Sequence, residues 1–149
     1  MKKVITALIL ATAVSSAFGV EVGVNTTRDL SGTNRNSNGL TVGQSYGKVG
    51  ITAGYDTLTK GKVDQDRYSV TGSYEVAKVG SIGVAVKAGA VYLDNQSGKD
   101  GYAITGGVGA SYPLTKVVAA TVDYRYQMGQ SRVSASDGNA IGVGLKVSF

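Results

Sequence analysis

The chain has 149 residues, a formal net charge of +5, 22 glycines, one proline, and no cysteine, histidine or tryptophan. Disulfides, thiolate chemistry and histidine-based catalysis or metal binding are excluded, and so much glycine disfavours helices, where each costs about 1 kcal/mol relative to alanine. No cluster of Lys and Arg points to nucleic acid, and two of the positive charges, Lys2 and Lys3, fall in a segment expected to be removed.

That segment comes first. Lys2 and Lys3 precede an apolar run, Val4 to Val14, and the small residues Ala17 and Gly19 frame a cleavage site. Residues 1–19 therefore read as a secretory signal cut after Gly19, with an apolar run too short for a spanning helix. Residues 20–149 read as one domain.

Eight segments then alternate with period two, the signature of strands. They are Val20–Thr27, Gly39–Tyr46, Val49–Asp56, Arg67–Glu75, Ile82–Leu93, Tyr102–Tyr112, Val117–Gln127 and Asn139–Phe149. One face carries Val, Ile, Leu, Ala and Tyr. The other is mostly Gly, Ser and Thr, with Glu21, Glu75, Lys87, Asp123, Arg125 and Lys146 among them. Val91 and Leu93 break the alternation by falling on the polar face. The connections Gly47-Lys48, Val76–Ser81 and Pro113–Lys116 are short. Arg28–Asn38, Thr57–Asp66, Asp94–Gly101 and Met128–Gly138 are longer and polar. Short turns alternating with long loops predict an all-β, eight-stranded antiparallel up-and-down barrel, and in outer-membrane barrels the short turns face the periplasm.

Tyrosine placement decides which face points outward. Tyr46, Tyr74, Tyr112 and Phe149 fall where strands reach the short turns. Tyr55, Tyr68, Tyr92, Tyr102 and Tyr126 fall near the long loops. All share the aliphatic face, as two aromatic girdles around a lipid-facing band would. A soluble barrel with its apolar face inside is the alternative, but it offers no reason to sort tyrosine to both rims. With the apolar face outward, the six charges line a narrow lumen, where they must be paired to be tolerated. The expected partner of Lys146 is Glu21 or Glu75.

Tyr112-Pro-Leu-Thr-Lys116, the following Asp123-Tyr-Arg-Tyr126, and the closing run Ile141-Gly-Val-Gly-Leu-Lys-Val-Ser-Phe149 resemble small outer-membrane barrels of the OmpA-like, OmpX-like and opacity-protein-like kind. No periplasmic domain is expected after Phe149, which makes the single-barrel members the expected nearer comparison. The resemblance implies an outer membrane of a Gram-negative bacterium, both mature termini in the periplasm, and a monomer. It implies contact with outer-membrane lipid and lipopolysaccharide. It also implies an assembly signal at Leu145, Val147 and Phe149 read by the barrel-assembly machinery.

The expected role is structural and surface-interacting. It covers envelope integrity and adhesion to a host or surface ligand through loops bearing Lys60, Lys62, Asp64, Asp66, Lys99, Asp100, Arg132 and Asp137. A narrow passive pore is the alternative. No enzyme is expected, because outer-membrane barrel enzymes rely on histidine. No cofactor and no metal site are expected either. Gly106-Gly-Val-Gly109 and Gly142-Val-Gly144-Leu-Lys146 complete no phosphate-loop pattern and lie inside strands.

Overall fold

The computed structural model describes residues 19–31, 36–60, 63–95, 100–129 and 138–149, so the expected signal segment lies outside the described residues. Eight strands follow one another: β1 (Val20–Asp29), β2 (Asn36–Tyr46), β3 (Val49–Lys60), β4 (Val63–Val79), β5 (Ile82–Asn95), β6 (Gly101–Pro113), β7 (Val118–Gly129) and β8 (Gly138–Ser148). Each pairs antiparallel with its sequence neighbour, and β8 returns to β1 from Glu21↔Ser148 to Asp29↔Ala140. The result is a closed barrel, with no free strand edge among the described residues. The seam is finished at its ends by Phe149 N–H donating to the Val20 carbonyl (2.9 Å) and Leu30 N–H to the Asn139 carbonyl (2.7 Å).

The barrel is apolar on the outside. Ile51 is 62% exposed, Val70 59% and Val143 55%, whereas the buried hydrophobic residues are Val91, Leu93 and Ala103. The period-two pattern explains this directly, because every second residue turns outward. Tyr46, Tyr74, Tyr112 and Phe149 are exposed at the short-turn rim. Toward the loops, Tyr55, Tyr68, Tyr92 and Tyr102 stand opposite one another on β3 to β6. Their ring centroids are 5.3, 6.4 and 5.2 Å apart, with tilted planes suited to aromatic pairing. Tyr55 and Tyr92 donate hydroxyl hydrogen bonds to Asp66 and Asp100, at 2.8 and 2.9 Å. Tyr124 and Tyr126 continue the exposed aromatic surface on β7.

Several expected boundaries are corrected. Thr57–Asp66 is not a loop: β3 and β4 stay paired from Thr57↔Asp66 to Lys60↔Val63, so Lys60, Asp64 and Asp66 are strand residues. Val76–Ser81 is not a six-residue connection, because β4 runs to Val79 and turns at Gly80-Ser81. The expected loops Arg28–Asn38, Asp94–Gly101 and Met128–Gly138 also lose residues at both ends to the strands. Of the expected loop charges, Lys62, Lys99, Arg132 and Asp137 lie outside the described residues. Gly47 (φ 58°) and Gly80 (φ 60°) hold the left-handed conformation that two-residue hairpins require.

Candidate functional site

The lumen collects the polar faces of all eight strands. Toward the loop end its inward side chains are buried. Asp56 on β3 and Arg67 on β4 are register partners, and both point inward. Arg67 Nε and Nη2 donate to Asp56 Oδ2 at 3.0 and 2.8 Å, and Nη2 also reaches Ser37 Oγ at 3.3 Å. The two side chains are 7% and 4% exposed, the most enclosed ion pair in the described structure. Asn25 Nδ2 adds a 3.4 Å bond to Asp56 Oδ1. Gly39 stands against this cluster, where a Cβ would collide with the Asp56 carboxylate and approach Asn25 Oδ1 to 2.6 Å. Val91, Leu93 and Ala103 form a buried apolar cluster beside it on β5 and β6, with Leu93 the register partner of Arg67.

The turn-end half is built differently. Its wall is mostly Gly, Ser and Thr around a cavity of about 250 Å³ that reaches from Asp56 and Arg125 down to Glu21, Lys146 and Lys48. Lys146 Nζ donates to Glu21 Oε1 at 3.0 Å, and Ser45 Oγ reaches the same oxygen at 3.1 Å. Lys87 pairs with Asp123 across β5 and β7, over Gly109, where a side chain would strike both partners. These pairs are about a third exposed, except for the better-covered Glu21.

Of the six charges expected in the lumen, four thus form two ion pairs. Arg125 donates from Nη2 to Thr27 Oγ1 at 3.0 Å and has no carboxylate within 4.0 Å among the described residues. Glu75 sits at a bulge between Glu75 and Ala77, with its Oε2 over Gly83, and likewise forms no ion pair among the described residues. The sequence reading missed Asp56 and Arg67. Parity alone places them inside, continuing Thr52–Gly54 and Ser69–Thr71, but they stand at the ends of the expected strands. Among the described residues no cluster of three potential metal ligands is assembled.

No protein-family model matches the sequence, and no curated protein matches it. Solved structures do. A de novo designed transmembrane β-barrel is similar at 14% identity and a TM-score of 0.60, over 91% of this chain and 98% of that one. Neisserial surface protein A is similar at 16% identity and a TM-score of 0.59, over 90% and 98%. The Yersinia pestis outer-membrane protein Ail, in a phospholipid bilayer nanodisc, is similar at 11% identity and a TM-score of 0.56, over 89% and 99%. The fold is a transmembrane β-barrel. For a transmembrane barrel the exposed aliphatic band is the lipid-facing surface, and closure satisfies the backbone where no water is present.

Proposed function

We propose that this protein is a small outer-membrane barrel of a Gram-negative bacterium with a structural and surface-interacting role. The observation that supports this reading is the buried loop-end cluster of the lumen, where the Asp56–Arg67 pair and Leu93 are almost inaccessible. Such a cluster favours a rigid envelope component over a pore. Both chain termini would lie in the periplasm, because they share the short-turn side, and the loops would face outward. Leu145, Val147 and Phe149 would serve as the assembly signal, with Leu145 and Phe149 exposed on β8 and just beyond it. Lipopolysaccharide and a host or other surface ligand would be met through the loop end and its tyrosines. The reading includes no catalytic step.

Two measurements test it. Outer-membrane fractions should hold the protein with a heat-dependent gel shift, and planar bilayers containing it should show no steady conductance. A clear wild-type conductance altered by Lys87→Ala would replace this reading with the passive pore. Loop deletion that leaves the heat shift intact but abolishes cell binding would support the surface role.

A further inference from the structure

Of the four strand cations that line the lumen, Arg67, Lys87, Arg125 and Lys146, Arg125 alone is left without a bonded carboxylate among the described residues. Its electrostatic neighbours are Arg67, Asp56 and Asp123. Asp56 is already bonded to Arg67, and Asp123 to Lys87. Around Arg125 three cations therefore share two carboxylates, and the remaining lumen acid, Glu75, lies toward the short-turn end of the same cavity, so the positive charge at Arg125 is locally uncompensated.

The donor inventory points the same way. A guanidinium carries five N–H donors, and the acceptor found for Arg125 is Thr27 Oγ1 alone. Its other nitrogens are not among the sealed, unpartnered polar atoms, where Asn25 Oδ1 stands alone. They open onto the cavity, whose wall Arg125 forms together with Lys87, Thr105 and Thr121. Lys87, Gly107 and Arg125 lie in one cross-strand row, so both cations approach the same bare glycine wall. The cavity extends to residues of the short-turn end, including Gly47 and Lys48, which is the end from which a solute would reach it. Glu75, the unpaired acid, lies nearer that end, opposite Ala85.

We infer that the lumen binds a small oxyanion at Arg125, entering from the short-turn end. A planar guanidinium holds an oxyanion through two parallel bonds, and the ammonium of Lys87 adds a second charge from the same row. The cavity of about 250 Å³ accommodates a phosphate-sized ion. This goes beyond the structural role and is tested separately: conductance probes the buried loop end, and anion binding probes Arg125, so either can fail alone.

The test is a titration of the folded protein in zwitterionic-lipid nanodiscs with inorganic phosphate at constant ionic strength, followed through arginine side-chain Nε–Hε resonances. One resonance should shift saturably, disappear in Arg125→Gln and persist in Arg28→Gln. Asp123→Asn frees Lys87 and should tighten phosphate binding about 3–10-fold. Absence of a saturable shift, or a shift that survives Arg125→Gln, overturns the site. Should Arg125→Gln fail to give the folded gel band, Lys87→Gln replaces it, with binding expected to weaken about 3–10-fold. Unchanged affinity in Lys87→Gln then overturns the site.

Discussion

The two halves of the lumen solve the same problem in opposite ways. Both must place ionisable side chains inside a barrel whose exterior is apolar. The loop-end half does so by enclosure: Asp56 and Arg67 are nearly inaccessible, multiply hydrogen-bonded and capped by Val91, Leu93 and Ala103. The turn-end half leaves its pairs accessible: Lys87–Asp123 and Lys146–Glu21 are partly exposed on a wall of small residues. An enclosed pair is intolerant of losing one partner, because the remaining charge stays in a low dielectric. An accessible pair loses little, because solvent takes over.

The largest effect should therefore come from Arg67→Ala, which strands Asp56 and is expected to cost about 3–5 kcal/mol. Urea unfolding in detergent micelles, read by the gel shift, measures it. Replacing both partners, as Asp56→Leu with Arg67→Met, should restore most of that loss, since a buried pair contributes little net stability over apolar side chains of similar volume. A double variant as unstable as Arg67→Ala would show that the pair itself, not the stranded charge, matters. Leu93→Ala removes the most completely buried large side chain, with an expected loss of about 2–5 kcal/mol in the same assay. Gly39→Ala drives a methyl into the Asp56 carboxylate and should cost about 1–3 kcal/mol as overpacking. The smallest effect belongs to the accessible half: Lys146→Ala should cost about 0–1 kcal/mol. Raising salt to about 1 M, where the screening length falls to about 3 Å, should erase that loss while leaving the Arg67→Ala loss nearly intact. Equal salt sensitivity in the two variants would collapse the distinction between the halves.

The fold was legible because lipid enforces a strict alternation. Every outward position within the apolar band must be apolar, so Val118, Ala120 and Val122 announce the face they occupy. The signal fades where lipid stops. Beyond Tyr55 and Tyr68 the sequence is mostly polar and the apolar alternation lapses, so Thr57–Asp66 reads as a loop although its ladder continues to Lys60↔Val63. The bulge between Glu75 and Ala77 shifts the phase by one residue. Alternation fails there, and the end of β4 is mistaken for a connection.

The lumen was legible as a set of charges but not as pairs. Which acid meets which base depends on stagger between strands far apart in sequence, and period two carries no information about stagger. Lys146 had two acids within reach by parity, and geometry brings it to Glu21. Val91 and Leu93 looked like violations of the pattern. They are the apolar part of the loop-end cluster, so the departure from alternation was itself the mark of that cluster.

The seam between β1 and β8 has a consequence for connectivity. Every other strand junction is covalent, whereas Val20 and Phe149 meet through a backbone hydrogen bond of 2.9 Å. The barrel is thus a ring of eight equivalent junctions with one left unligated, and strand order amounts to a choice of where the ring is cut. In a chain made without residues 1–19, joining Val20 to Phe149 through a short linker and opening the chain at Gly47-Lys48 would preserve every ladder and every lumen pair. A permuted chain that still folds would show that the architecture resides in the cyclic sequence of neighbours rather than in which strand is made first.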